Sequence, residues 1–197
     1  TIQSATVVAD TPLTPAENSF AREGYTFTGW VATSTLTGTE VKIGDTITAG
    51  DTITLTAQWS QDTYTVVYNG NGGTGSMKEQ SVPATTAFSP AKNRFKRDGY
   101  AFLGWTAVST LTGGEIAEGA AVAAGDTVTL TAQWGMYGDA NGDGKVNIAD
   151  AFVIRLYDWG YYSIPADRLS LLDMNRDGVV NTADAHILFA CLAGAIE

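Results

Sequence analysis

Two twelve-residue segments, residues 139–150 and 173–184, place oxygen-bearing side chains at positions 1, 3, 5, 9 and 12, with glycine at position 6. Calcium takes six to eight oxygen ligands, and a chain surrounds it by offering alternate residues around a tight turn. Glycine permits the left-handed backbone that this turn needs. The spacing predicts two metal loops. Their ligands are Asp139, Asn141, Asp143, the Lys145 carbonyl, Asn147 and Asp150 in the first loop, and Asp173, Asn175, Asp177, the Val179 carbonyl, Asn181 and Asp184 in the second.

The alternative is that both segments are ordinary turns rich in Asp, Asn and Gly. Two complete copies, each running directly into an apolar helical stretch, favour the metal loops. Each loop closes on an aspartate, Asp150 or Asp184, where the usual helix–loop–helix calcium site has a bidentate glutamate.

The stretches after the loops, residues 150–159 and 184–192, are predicted helices that are apolar on nearly every side. A module of about sixty residues cannot bury two such helices completely, so part of this surface is expected to meet a partner. The face in question carries Ala149, Phe152, Val153, Leu156 and Gly160 on the first helix, and Ala183, His186, Ile187, Ala190 and Gly194 on the second.

Residues 135–138 are too short and too rich in glycine to form a helix before the first loop. A loop followed by a helix, twice, with Val-Asn at loop positions 8 and 9 and Asp at position 12, resembles a type I dockerin over residues 137–196. The resemblance implies an all-α module with two calcium loop–helix (F-hand) motifs and two bound Ca²⁺. It also implies that the partner is a cohesin module of a bacterial scaffoldin.

In dockerins, two loop positions and three helix positions are the usual cohesin contacts. In this sequence they are Ile148, Ala149, Arg155, Leu156 and Gly160 in the first copy, and Thr182, Ala183, Phe189, Ala190 and Gly194 in the second. The two copies differ at three of these five positions. We therefore expect one preferred binding orientation, and the type of cohesin stays open.

The earlier part of the chain is a tandem repeat in which residues 20–59 align with residues 95–134 and more than half of the aligned pairs are identical. Apolar and polar residues alternate at 53–59 and 128–134, as in half-buried strands. Further strands are predicted at 25–27, 63–68 and 100–102, with a glycine turn at 69–75. Residues 5–8 could add a strand, and a short helix or an irregular crossover could follow Pro83.

The motifs Phe-Lys-Arg-Asp-Gly-Tyr-Ala-Phe-Leu-Gly-Trp and Leu-Thr-Ala-Gln-Trp resemble the Listeria–Bacteroides (internalin B-type) repeat. That family implies small β-grasp-like modules of bacterial surface proteins. The first unit lacks the opening Tyr-x-Val-x-Tyr-Asn-Gly-Asn-Gly-Gly segment. It is either an incomplete copy, as in a fragment of a longer protein, or a genuine variant of the repeat. The predicted domains are 1–60 and 61–135, each one β repeat, and 136–197, the dockerin.

Four tryptophans, Trp30, Trp59, Trp105 and Trp134, recur at fixed repeat positions, which favours a core role and leaves a sugar-stacking platform as the alternative. The glycine turn lacks the Lys-Ser/Thr and the helix start of a phosphate-binding loop. A single cysteine excludes an internal disulfide, so the small C-terminal module is expected to depend on metal for stability.

A net charge of −10 argues against nucleic acid or an anionic membrane as a partner, and no apolar run is long enough for membrane insertion. No nucleophile–base pair is evident, so the chain is not expected to be an enzyme. We predict a monomer when free, secreted to a bacterial surface or cellulosome-like complex, that attaches to cohesin while the repeats act as spacers. The alternatives are that the repeats bind a glycan or host protein, or that the chain is a calcium-stabilised spacer.

Overall fold

The computed structural model describes residues 8–195, and the strand predicted at residues 5–8 lies mostly outside them. The chain forms two compact units. Among the described residues, one unit contains 8–64 together with 81–87 and 121–125, and the other contains 65–80, 88–120 and 126–195. We call residues 8–61 the first repeat, residues 63–136 the second repeat, and residues 137–195 the helical segment.

The first repeat is a three-stranded sheet in the order β2-β1-β3. Its strands are β1 (Tyr25–Ser34), β2 (Glu40–Val41) and β3 (Ile53–Gln61), and β1 pairs antiparallel with both neighbours. Its buried apolar residues are Leu13, Ala32 and Ile47. The alternation predicted for residues 53–59 is present in β3, where the apolar side chains are half-buried and none is fully buried.

The second repeat is a four-stranded sheet in the order β5-β4-β7-β6. Its strands are β4 (Thr63–Asn69), β5 (Gln80–Pro83), β6 (Tyr100–Ser109) and β7 (Thr127–Met136). β7 pairs antiparallel with β6 and parallel with β4. The crossover after β5 contains no helix within the described residues, so it is irregular. The β-rich character of this region is confirmed, and the β-grasp comparison stays a prediction.

A buried carboxylate holds the turn after β6 in place. Asp126 is 4% exposed and accepts hydrogen bonds from the Ser109 hydroxyl, from the backbone N–H and hydroxyl of Thr110, and from the Leu111 N–H. Burial opposes ionisation, but these bonds outweigh it and keep the pKa of the Asp126 carboxyl below its usual value. Asp51 makes the same contacts in the first repeat.

Replacing Asp126 by Asn is expected to destabilise the second repeat by about 1–3 kcal/mol at neutral pH, because buried donors lose a charged acceptor. A lowered folded-state pKa means that the ionised group stabilises the fold above its unfolded pKa of about 3.9, and that this contribution is lost as the pH falls through the folded value. Thermal melts of both proteins should therefore differ at pH 7, and the difference should become smaller as acid protonates the Asp126 carboxyl in the folded protein. Asp51→Asn, at the less buried equivalent site, is the control and should have the smaller effect. A difference that does not change between neutral and acidic pH would contradict this assignment.

The helical segment contains α1 (Ile148–Asp158), α2 (Ala166–Leu169) and α3 (Thr182–Leu192). Both long helices begin two residues earlier than predicted. The reason is that Asn147 and Asn181 are the N-caps, each in a reciprocal capping box with the aspartate three residues later. The sequence at 164–169 predicts a short helix with proline in its first turn; α2 is that helix, and Pro165 is its N-cap rather than part of the first turn.

A single buried cluster joins α1, α3 and the connection between them. Its members are Ala140, Ala151, Ile154, Ile164, Leu171, Leu172, Ala185 and Leu188. Ala101 and Leu103 of β6 pack against this cluster. The short junction at residues 134–136 predicts a docked rather than a freely tethered helical segment, and these contacts show it docked on the second repeat. Within residues 8–195, none of the helices is both long and apolar enough to cross a membrane.

Candidate functional site

The first loop is a closed network in which carboxylates accept hydrogen bonds from the chain that surrounds them. Asp139 accepts from the N–H groups of Gly142 (2.8 Å), Asp143 (3.2 Å) and Gly144 (3.0 Å). Asn141 accepts from the Asp143 N–H at 2.9 Å, and Asp143 accepts from the Lys145 N–H at 2.9 Å. Gly144 has φ +80°, which gives the left-handed bend that the spacing predicts at position 6.

The second loop repeats this network almost bond for bond. Asp173 accepts from the N–H groups of Asp177 (3.1 Å) and Gly178 (2.9 Å). Asn175 accepts from the Asp177 N–H, and Asp177 accepts from the Val179 N–H, both at 2.9 Å. Two segments that differ in sequence at their variable positions thus share one local fold.

The closing aspartates tie each loop to its helix. Asp150 accepts from the N–H groups of Ala140 (2.9 Å) and Asn141 (3.1 Å) through one oxygen, and from the Asn147 N–H (2.9 Å) through the other. Asp184 makes the three equivalent bonds at 2.8, 3.2 and 2.9 Å. Each of these carboxylates therefore connects the start of its loop to the first turn of the following helix.

Asp150 and Asp184 are completely buried, and Asp139 is 6% exposed. Burying an ionised carboxylate is costly unless an opposite charge or several hydrogen bonds compensate it. A divalent cation would supply that charge, and the oxygen-only set of carboxylate, amide and carbonyl ligands suits the hard ion Ca²⁺. The residues present therefore fit a calcium ion in each loop.

Within the described residues, no three Asp, Glu, His or Cys side chains are grouped as a preformed metal site. The loop carboxylates accept from N–H groups instead, and amide and backbone oxygens complete the predicted ligand set. Asn147 and Asn181 also accept from Ala149 (2.9 Å) and Ala183 (2.7 Å) as helix caps. The twelve predicted ligands thus lie in two loops, and their coordination of metal stays a prediction.

The predicted partner residues form an incompletely covered surface on α1 and α3. Ile148 is 64% exposed, Phe152 56% and Phe189 51%, whereas Ala151, Ile154, Ala185 and Leu188 face the core. The remaining predicted contacts divide into exposed residues, which are Ala149, Ala183 and His186, and half-buried residues, which are Arg155, Leu156, Thr182 and Ala190. We call Ile148, Phe152 and Phe189 the apolar face.

Two polar details make the copies unequal. Asp158 at the end of α1 accepts from both the backbone N–H (3.0 Å) and the hydroxyl of Thr182 at the start of α3, so this hydroxyl already has a partner. Arg155 stacks over the Trp159 ring at 4.8 Å, and its Nε is buried without a hydrogen-bond partner. Sequence reasoning missed the role of Asp158, because a contact between separate helices leaves no periodic or spacing signal.

The aromatic residues after α1 are exposed. Trp159 is 51%, Tyr161 80% and Tyr162 43% exposed. From the sequence, these aromatic residues are expected either to pack against the neighbouring repeat or to contact a partner. Their exposure does not support the packing, and contact with a partner stays a prediction.

The four repeat tryptophans are half-buried and make edge-on contacts with phenylalanines. Phe27 lies 5.2 Å from Trp30 and 5.6 Å from Trp59, measured between ring centroids, and Phe102 has the same relation to Trp105 and Trp134. Each of the four tryptophans thus packs edge-on against a phenylalanine of its own repeat, at interplanar angles of 64–74°, which is how aromatic residues pack in a core. The core assignment is therefore favoured.

Comparison with known families agrees with this division of the chain. The model of the Listeria–Bacteroides repeat domain matches residues 1–58 and 64–133, and the model of the dockerin type I domain matches residues 137–192. Type I dockerins are calcium-dependent modules that bind cohesins in extracellular or cell-surface complexes, and neither family is catalytic.

Two relatives, both from Evansella cellulosilytica, are 31% identical to this chain. One carries the provisional name Gly-rich membrane protein; its match covers 50% of this chain and 11% of the relative. The other is provisionally named a membrane protein; its match covers 57% of this chain and 17% of the relative. The chain thus spans less than a fifth of either relative. No solved structure matches this chain. The chain belongs to the Listeria–Bacteroides repeat family, and its repeats are followed by a type I dockerin domain.

Proposed function

We propose that this chain is a calcium-dependent attachment module, in which two Ca²⁺ ions fold the dockerin and its apolar face binds a cohesin. The observation that carries the proposal is the pair of matching loops, each closed by a completely buried aspartate at the start of a helix that contributes to that face. The proposed ligands are the twelve oxygen positions predicted from the spacing, six in each loop. The bound ion would supply the positive charge that compensates the buried carboxylates. The capping boxes of the chain itself orient the helices.

The proposed partner is a cohesin of a bacterial scaffoldin, and the proposed assembly is a cellulosome-like or cell-surface complex that degrades polysaccharides. Two features support a protein partner. The side chains of the apolar face are at least half exposed, and they lie on the two helices that directly follow the loops. Exposed large apolar side chains on neighbouring helices are typical of the centre of a protein interface. The repeats would act as a spacer or support for the dockerin.

The test is capture of the chain by a panel of immobilised cohesins in calcium and in excess EDTA. We expect capture by at least one cohesin in calcium and none in EDTA, because the helices that carry the apolar face depend on the loops. Asp167→Asn, which changes an exposed carboxylate of α2 outside both loops, is the matched control and should bind like the unmodified chain. Capture that is equally strong in EDTA would contradict the proposal.

The alternative that the repeats bind a glycan has less support. In the described residues of both repeats, the large apolar side chains that are most exposed are aliphatic (Val8, Leu36, Ile43 and Leu111), and no aromatic platform accompanies them.

A further inference from the structure

The first loop contains an asparagine followed directly by glycine, Asn141-Gly142, whereas the second loop has Asn175-Arg176 at the same positions. All four residues are exposed. In an Asn-Gly pair the backbone nitrogen of the glycine can attack the side-chain carbon of the asparagine, because glycine has no Cβ to obstruct the approach. The chain therefore has a reactive pair in one loop and a much less reactive equivalent in the other.

Packing explains why glycine stands in the first loop. Gly142 has φ +75°, and Arg176 adopts φ +61° at the equivalent position, so this backbone conformation alone does not exclude a side chain. A Cβ on Gly142 would overlap with the guanidinium of Arg168, which belongs to α2. Glycine thus makes room for Arg168 in the first loop, and it creates the reactive pair at the same time.

The folded loop restrains both reacting groups. The Gly142 N–H donates to the Asp139 carboxylate at 2.8 Å. Because this acceptor is negatively charged, it opposes removal of the proton that the nitrogen must lose before it attacks. The Asn141 side chain is held at both ends, since its oxygen accepts from the Asp143 N–H at 2.9 Å and its nitrogen donates to the Asp143 carboxylate at 3.1 Å. Attack therefore requires the loop to open first.

From these observations we propose that Asn141 is a site of spontaneous deamidation that bound calcium suppresses. The proposal rests on the function proposed above, in which calcium keeps the first loop closed. In the open loop the Gly142 nitrogen gives its proton to solvent and bonds to the side-chain carbon of Asn141. The side-chain nitrogen takes up a proton from solvent and leaves as ammonia. Water then opens the cyclic imide at either of its carbonyls, which yields aspartate or isoaspartate.

The two products differ in their effect on the loop. Aspartate is accepted at the third position of calcium loops, so this product keeps the ligand set. Isoaspartate instead lengthens the main chain between residues 141 and 142 by one carbon. The N–H groups of Gly142, Asp143 and Gly144 all donate to Asp139, and this arrangement depends on their spacing. The isoaspartate product should therefore lose calcium binding in the first loop.

Deamidation would convert a reversible loss of calcium into a permanent one. A chain that regains calcium quickly would refold unchanged, whereas a chain that stays without the ion would accumulate isoaspartate in its first loop. The second loop would not age in this way, because the residue after Asn175 is arginine. The period that the module spends without calcium would thus limit how long it can still attach.

The test uses the complete chain at neutral pH, incubated either in excess EDTA or in calcium. Free calcium at about 100 times its measured dissociation constant should lower the open population about 100-fold, since only the closed loop binds the ion. Modification of an open state follows that population. Peptide mapping by mass spectrometry should therefore show that Asn141 deamidates about 100-fold more slowly in calcium than in EDTA. Asn175 should stay unmodified in EDTA over the same period.

The chain also provides matched controls. Asn69 and Asn71 precede glycines too, but they lie in the turn of the second repeat, so their rates should change little with calcium. Arg176→Gly gives the second loop the same pair as the first, and it should create a second calcium-suppressed site at Asn175. Asn141→Asp reproduces one of the two products and should still bind calcium in both loops.

The proposal is wrong if Asn141 stays unmodified in EDTA, or if it deamidates equally fast in calcium while calorimetry shows that calcium is bound. It is also wrong if purified isoaspartate product binds calcium as the unmodified chain does. These results would leave the proposed attachment function intact, because cohesin capture does not require the reaction. A chain that takes up no calcium would overturn both proposals.

Discussion

Removal of calcium is expected to unfold α1 and α3 while both β repeats keep their sheets. Asp150 and Asp184 are completely buried and join each loop to its helix, so loss of the compensating charge makes the folded helical segment unfavourable. Metal binding energy is folding energy in a small module of this kind. Far-ultraviolet circular dichroism in excess EDTA should lose its helical signal, and the tryptophan resonances of the first repeat should remain.

Single substitutions separate the two loops. Asp150→Ala and Asp184→Ala should each weaken calcium binding in their own loop by at least about 100-fold. Loss of an outer-shell partner costs up to about 100-fold, and loss of a direct ligand should cost no less. Asp167→Asn, outside both loops, should leave calcium affinity unchanged. Helicity that persists in excess chelator, or a titration that finds no calcium uptake, would show that the loops are structural turns.

Substitution of the apolar face is expected to affect cohesin binding unequally. The position of Phe152 on α1 is occupied on α3 by His186, and the position of Phe189 on α3 is occupied on α1 by Arg155. A half-turn of the module therefore presents a different surface to the partner, and one orientation should dominate. Of Phe152→Ala and Phe189→Ala, we expect one to reduce affinity at least about 30-fold, as an interface hot spot does, and the other to have a small effect.

The control for this comparison is Leu111→Ala, which removes an equally exposed apolar side chain, 62% exposed, from a turn of the second repeat. It should leave cohesin affinity unchanged. Titration calorimetry of the single and double variants provides the measurement. Two small and equal losses, with binding abolished only in the double variant, would mean that both orientations are used and that the differences between the copies have no effect.

Local spacing was sufficient to predict the loops because their hydrogen bonds connect residues close in sequence. Asp139 and Asp173 bond to groups within five residues of themselves, so a twelve-residue pattern contains most of the information. Helix starts were less accurate. The sequence predicts that each helix begins at its closing aspartate. Asn147 and Asn181, three residues earlier, are the N-caps, so each helix begins two residues before the predicted position.

Contacts between distant segments were harder to predict. The alternation of β4 predicts a strand but not its parallel pairing with β7, because pairing depends on a crossover of many residues. The bond from Thr182 to Asp158 and the covering of Trp134 by the Gly70 carbonyl likewise join positions with no common period. The repeat and the missing opening segment of its first copy were evident from sequence, whereas the difference in burial between β3 and β7 among the described residues required the structure.

The junction between β7 and the helical segment is short and is held by hydrogen bonds on both sides. Tyr137, immediately after β7, donates its N–H to the Gly99 carbonyl at 3.1 Å, and Gly138 donates to the Leu171 carbonyl at 3.0 Å. A Cβ on Gly135 would lie 2.3 Å from Leu171, so the sheet and the helical core are in close contact there. A tensile load applied through α1 and α3 would therefore reach the hydrogen-bonded ladder of β7 directly, without first straightening a tether. The second repeat and the dockerin would then respond to the load as one body, so that the angle between them would stay fixed while the dockerin is attached.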